Sequence, residues 1–135
     1  MDNLYGKGKK KARELLINWA ERNHSTFTGL IIPNVFGPFG RPYYNSVVAT
    51  FCHQLTHNEQ PQINVDATLK LIYVQELVNE IIKIIENKIG KQLYEVPYTS
   101  ETKVSEILSK LEDFRSNYME TVSYTHLTLP TILRV

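Results

Sequence analysis

The chain of 135 residues has little of what would assign it to several large classes. It has one cysteine, Cys52, so no internal disulfide can form; the chain reads as intracellular, with a cytoplasmic location expected. No apolar run approaches the roughly 18–20 residues of a membrane span. The start, Met1-Asp2-Asn3-Leu4-Tyr5-Gly6, has no apolar core behind a basic segment, so no secretory signal is visible. Charge of one sign is missing too. Fifteen Lys and Arg face 14 Asp and Glu, and a net charge of +1 gives no general pull toward nucleic acid or an anionic membrane. What is there suits one small globular domain, with 42% hydrophobic and 21% charged residues.

Periodicity divides the chain. Residues 9–23 read as a helix, with Ala12, Leu15, Leu16 and Trp19 as its apolar stripe and Asn23 as its stop. Residues 26–32 read as a buried strand closed by Pro33, and residues 34–42, with two glycines and two prolines, as an irregular loop. A helix over 46–57 is capped by Ser46. Strands are expected at 63–65 and 68–74, paired as a hairpin around Asp66, and another at 92–96. The helix at 75–89 carries Leu77, Val78, Ile81, Ile82 and Ile85 on one face, with Gly90 at its C′ position. The last helix, 103–117, carries Val104, Ile107, Leu108, Leu111 and Phe114 and is capped by Thr102. Both of these stripes are read as core. Strands alternating with helices predict an α/β sheet.

The C-terminus breaks the pattern. Ser123-Tyr124-Thr125-His126-Leu127-Thr128-Leu129-Pro130-Thr131 has no helical period. From about Val122 it resembles, residue for residue, an in-frame translation of a transposon-type sequencing-library adapter. Residues 1–121 are therefore expected to be the folded part and residues 122–135 an artefactual or disordered tail.

Tyr5 and Lys9 stand four apart at a helix start and share a face. An ammonium beside a phenol favours the phenolate, which suits the phenol to exchange a proton with a substrate oxygen. Gly6 and Gly8 flank the pair, where each costs roughly 0.5–1 kcal/mol against Ala. Close approach of another backbone or a cofactor would offset that. The bland alternative is a solvated basic turn, since Lys7, Lys10, Lys11 and Arg13 are also there.

Tyr5-Gly6-Lys7-Gly8-Lys9, a strand, and then Pro33-Asn34-Val35-Phe36-Gly37-Pro38 resemble the extended short-chain dehydrogenase/reductase family, also called the NAD-dependent epimerase/dehydratase family. The run from Arg41 through Tyr43, Tyr44, Asn45 and Ser46 to Cys52 resembles a subgroup, the capsular-polysaccharide reductases of UDP-linked N-acetyl-L-talosamine-type sugars. The resemblance covers about residues 2–117 and implies the C-terminal half of a Rossmann-like domain, an incomplete sheet with flanking helices. It implies Tyr5 as general acid/base, with Lys9 on the nicotinamide ribose. Pro33 would touch the cofactor, NADP or NAD. Asn34, Arg41 and Asn45 would face the UDP-sugar, where an Arg fork suits a pyrophosphate. A homodimeric parent is implied as well.

There are departures from the family pattern. The glycine-rich first turn that cradles a dinucleotide is not in this sequence, nor is the catalytic Ser/Thr that precedes the Tyr. Ile31 replaces an Arg, Gln75-Glu76 an Asp-Asp, and Gly8 a Ser. This piece alone is expected to be inactive.

Two rivals stand beside the reductase reading: an epimerase or dehydratase of the same family, and a non-catalytic binding or interaction module. His53 and His57, four apart beside Cys52, resemble a metal-binding helix, but Gln54 stands where a zinc-protease motif needs Glu, so no metal is expected. The basic cluster lacks aromatic interleaving, so no nucleic-acid partner is expected, and the balanced charge and lack of a long apolar run leave no membrane partner expected either.

The tail reading has a direct test. Deleting residues 122–135 is expected to change stability by less than about 0.5 kcal/mol, the scale of surface changes away from special features. Urea denaturation of both chains measures it, and a loss of several kcal/mol contradicts it.

Overall fold

The computed structural model describes residues 3–120, so the expected tail at 122–135 lies outside the described residues. The chain runs α1 (Leu4–Arg22), β1 (Thr28–Ile31), β2 (Asn34–Phe36), α2 (Val47–Thr56), β3 (Thr68–Tyr73), α3 (Val74–Glu86), β4 (Lys91–Glu95), β5 (Ser100–Lys103) and α4 (Val104–Phe114), then a π-helical segment, Arg115–Glu120. Two small sheets form among these residues. β1 pairs parallel with β4, Leu30 opposite Tyr94. β3 is central in the other, parallel to β2 with Asn34 opposite Leu71, and antiparallel to β5 with Lys70 opposite Glu101. The α/β class is as expected.

Successive side chains of a strand point to opposite faces, and β3 buries both. Leu71 packs with Phe51 of α2 and with Val104 and Ile107 of α4. Its neighbour Ile72, 2% exposed, packs with Leu77 of α3 and Val96.

Several expectations are corrected. Asn34–Phe36 is not loop but strand, because its backbone finds β3 before Gly37 and Pro38 break the run. No strand forms at 63–65 and there is no hairpin around Asp66. Ile63 packs against the α2–α4 core from an irregular segment. Asp66 instead accepts from the Ser105 N–H and the Ser105 hydroxyl, both at 2.8 Å, and so secures the first turn of α4. Thr102 lies inside β5; the N-cap of α4 is Lys103, whose N–H is taken by Glu106 at 3.2 Å. β5 was invisible to a search for apolar periodicity because Ser100-Glu101-Thr102-Lys103 contains no apolar residue.

The helix stops also differ. Asn23 is a C-cap at φ −102, and His24 takes the left-handed turn at φ 50. Lys88, at φ 48, does the same for α3 in place of Gly90.

Nor are the stripes all core. On α1 only Ala20 is buried; Leu15, Leu16 and Trp19 are exposed, Trp19 by 58%. On α3, Leu77 and Ile84 are buried while Val78, Ile82 and Ile85 are exposed. On α4, Phe114 is exposed. The period gives the helix in each case but not the partner for the face.

Hydrogen bonds from the Ser105 backbone and then its hydroxyl hold the Asp66 carboxyl below its ordinary value. A depressed carboxyl contributes stability above its unfolded value of about 3.9 and loses it as pH falls through the folded value. Asp66→Asn, which cannot accept both bonds, is therefore expected to flatten the acid limb of a Tm-versus-pH curve. An unchanged acid limb contradicts this role.

Candidate functional site

Ile32-Pro33 carries the chain from the sheet of β1 to the sheet of β2, so Pro33 and Asn34 sit at the crossing. The Asn34 side-chain amide donates to the Lys70 carbonyl of β3 at 3.3 Å. Asn34 lines a cleft of about 450 Å³ together with Val35, Asn45, Ser46 and Leu71. It also lines a second, of about 340 Å³, with Pro33, Lys70 and Tyr98. Asn45 opens onto a third, of about 440 Å³, shared with Tyr43, Tyr44, Gln54, Gln62 and Asn64. Three sequence candidates, Pro33, Asn34 and Asn45, are thus joined through shared walls.

The N-terminus of α2 belongs to the same place. The Ser46 hydroxyl accepts from the Ala49 N–H at 3.2 Å, the cap expected from the sequence. Ser46 and Val47 both line the 450 Å³ cleft, so the positive end of a helix dipole faces it. Arg41 lines none of the three clefts; its guanidinium lies over the Tyr44 ring, 5.6 Å from the centroid. Gln54 lines the same cleft as Asn45, and its buried Oε1 has no hydrogen-bond partner among the described residues.

Tyr5 and Lys9 form a separate group. α1 begins at Leu4, with Asn3 as N-cap accepting from the Gly6 N–H at 2.8 Å. Lys9 Nζ lies 5.2 Å from the Tyr5 ring centroid, so the two share a face as the spacing requires. Tyr5 is 67% exposed, and nothing among the described residues lies within 4 Å of where a Cβ on Gly8 would sit. Among the described residues the face is open to a body from outside this chain. Neither Tyr5 nor Lys9 lines the clefts of Asn34 and Asn45.

Gly37 has a local reason to be glycine: a Cβ there would come within 2.5 Å of Val74 Cγ1. That contact lets the loop after β2 cross the start of α3. Glu76, in the place noted as a departure, works as a cap: it accepts from the Tyr73 N–H at 3.1 Å and from the Thr99 hydroxyl at 2.6 Å.

His53 and His57 stack with centroids 3.9 Å apart, and His57 Nδ1 is engaged by the His53 carbonyl at 2.8 Å. Cys52, an exposed residue, lines instead an apolar pocket with Leu55, Leu111 and Phe114, and partial burial of its thiol raises it above the ordinary value. Among the described residues no three His, Cys, Asp or Glu gather as metal ligands, and no helix is long and apolar enough to cross a membrane. Two residues that the sequence did not single out for the site, Tyr43 and Glu59, are hydrogen-bonded to each other. They are far apart in the chain and follow no periodic spacing, so only the fold brings them together.

A strand crossing at Pro33, a capped helix N-terminus bordering a cleft and a Tyr–Lys pair on α1 stand together in an α/β fold. The chain belongs to the NAD dependent epimerase/dehydratase family, which it matches over residues 2–96. It is 34% identical over 119 residues to UDP-2-acetamido-2,6-beta-L-arabino-hexul-4-ose reductase of Pseudomonas aeruginosa, a match covering 87% of this chain and 32% of that protein. Among solved structures it is similar to the capsular polysaccharide assembling protein of Staphylococcus aureus, with 35% identity and a TM-score of 0.74 over 89% of this chain and 33% of that one. It shares its fold with UDP-glucose 4-epimerase of Thermotoga maritima, solved with UDP-glucose. There the identity is 23% and the TM-score 0.69, over 83% of this chain and 37% of that one. The chain spans about a third of the length of these relatives.

Removing the α2 cap by Ser46→Ala is expected to cost about 1 kcal/mol in urea unfolding, with Ser46→Asp near wild type, since both Ser and Asp accept from the first-turn N–H groups. Equal stability of the alanine variant contradicts the cap.

Proposed function

We propose that this chain is the substrate-facing part of an NAD(P)-dependent reductase that acts on a UDP-linked keto-sugar in capsular or surface polysaccharide synthesis. The observation that carries this reading is the shared cleft of Asn34 and Asn45 at the N-terminus of α2. Two amides and a helix N-terminus suit a sugar diphosphate: amides donate to and accept from hydroxyls, and the helix end favours the anion. Arg41, beside Tyr44, is assigned to the pyrophosphate, and the unpartnered Gln54 Oε1 to an N–H of the nucleotide. Similarity to a UDP-sugar reductase over 87% of this chain supports the substrate class.

The nicotinamide cofactor, when bound, supplies the hydride. Tyr5 donates its hydroxyl proton to the carbonyl oxygen as negative charge develops there, which yields the alcohol. Lys9 holds the ribose through its ammonium and keeps a positive charge beside the phenol. Pro33, at the strand crossing, borders the cofactor. Residues 1–121 would act within a larger domain that supplies the glycine-rich turn.

Activity is to be measured in a polypeptide that joins this chain to such a nucleotide-binding half. Tyr5→Phe keeps the ring but removes the proton, and kcat is expected to fall about 10²–10⁴-fold, the usual share of general acid–base catalysis. UDP-sugar affinity should change little. Lys9→Met should weaken cofactor affinity, which Tyr5→Phe should not. A Tyr5→Phe enzyme with near-wild-type kcat refutes the catalytic assignment. Inverted product without net oxidation of the cofactor assigns the chain to an epimerase instead.

A further inference from the structure

We propose that Tyr43 and Glu59 form a latch that positions Asn45 and the first turn of α2 at the cleft, which makes Glu59 a positioning residue for the nucleotide end of the substrate. The inference rests on the nucleotide-sugar reading of that cleft. Glu59 itself lines none of the three clefts, so its effect is exerted through Tyr43.

The loop between β2 and α2 needs such a hold. Phe39, Tyr43 and Asn45 all have left-handed backbones, at φ 64, 58 and 52. Asparagine enters that region readily, but for a side chain as bulky as that of Tyr43 it is costly and needs support from its surroundings. Phe39, at the loop tip, is fully exposed and contributes no hold. Tyr43 is fixed from several directions at once. Its N–H donates to Thr50 Oγ1 at 2.9 Å, and the Thr50 hydroxyl donates to the Ser46 carbonyl at 2.8 Å. Two consecutive hydrogen bonds therefore run from Tyr43 to the residue that caps α2. The Tyr43 ring meets His53 edge-on at 5.7 Å, and His53 is backed by the stacked His57. The Tyr43 hydroxyl donates to the Glu59 carboxylate.

Glu59 is delivered by the way α2 ends. His57 is the C-cap, Asn58 turns left-handed at φ 56, and the Glu59 N–H returns to the Gln54 carbonyl at 2.8 Å. The Asn58 side chain is held from the other side by Arg115 at 2.6 Å. The same carboxylate, chiefly through the hydrogen bond, raises the Tyr43 phenol above its ordinary value, so the hydroxyl remains a donor. The paired histidines thus have a mechanical use: they support the ring of the residue that sets Asn45.

Charge makes the test sharp. Removing the Glu59 carboxylate deletes a negative charge from the neighbourhood of a diphosphate, so Coulomb's law alone makes anion binding tighter. The latch requires the opposite. Uridine 5′-diphosphate is titrated into the full 135-residue chain and its variants by calorimetry, with amide hydrogen exchange read in parallel. Tyr43→Phe and Glu59→Ala are each expected to raise Kd about three- to tenfold, the worth of one net hydrogen bond. Glu59→Gln, which keeps an acceptor oxygen of the same reach, should stay within about twofold of wild type. Exchange at residues 44–48 should quicken in the Phe and Ala variants and not in the Gln variant. Unchanged or tighter binding in Glu59→Ala, with wild type binding normally, overturns the latch and leaves the nucleotide reading intact. No binding of uridine 5′-diphosphate by wild type overturns the nucleotide reading, and the positioning role falls with it.

Discussion

The structure depends on one strand being buried on both faces. β3 sends Leu71 into the α2–α4 core and Ile72 into the α3 core, so a single stretch of backbone fastens three helices. A strand in that position cannot leave its own polar groups unpaired, since a buried N–H or C=O without a partner costs about 1–3 kcal/mol. β2 and β5 supply those partners. The pairing with β2 is also what places the site. Asn34 stands opposite Leu71 and reaches the Lys70 carbonyl, and the cleft wall includes Leu71 itself. Core packing and the position of a candidate substrate residue are therefore set by the same few residues.

That dependence explains which parts of the fold could be read from the sequence. The helices over α2, α3 and α4 were legible because the 3.6-residue period is a property of one segment by itself. β5 was not, because Ser100-Glu101-Thr102-Lys103 becomes a strand only by pairing its backbone with β3, and nothing in its side chains records that. β2 was hidden for a related reason. Its three residues precede a Gly-Pro turn, and the turn chemistry dominated the reading of the whole stretch. Ile63 and Val65 suggested a strand because β-branched residues favour one, yet Ile63 is needed as a plug against the core.

The site divides along the same line. Tyr5 and Lys9 lie close because their spacing is local to a helix. Asn34 and Asn45 were marked by resemblance to a family and not by any physical period, and their meeting in one cleft is a product of the sheet crossing at Pro33. Tyr43 lies in a run marked by resemblance to a subgroup, but neither it nor Glu59 carried a signal for their pairing. Their hydrogen bond needs the left-handed Asn58 at the end of α2. The same turn closes α1 at His24 and α3 at Lys88, where Asn23 and Gly90 had looked better suited. Preference for glycine or asparagine in that geometry is a matter of about 1–2 kcal/mol, small enough for the return hydrogen bonds of Ser25 and Ile89 to outweigh it.

α1 is where local and tertiary order are least coupled. Its 19 residues make a rod of about 28 Å at 1.5 Å per residue. The rod is anchored near its C-terminal end, where Ala20 is buried, Ile17 is half-buried and the Ser25 N–H returns to the Ala20 carbonyl at 2.9 Å. Tyr5 and Lys9 lie toward the opposite end, about four and about three turns away. Between them runs the exposed apolar face of Leu15, Leu16 and Trp19. A stiff helix held at one end acts as a lever, and a small rotation at Ala20 moves Tyr5 by several times as much. Any contact that buries Leu15, Leu16 and Trp19 therefore fixes the Tyr–Lys pair in space. Covering that face is worth roughly 25 cal/mol for each Å² of apolar surface removed from water, more than the few local hydrogen bonds at the Ala20 end supply to orient the rod.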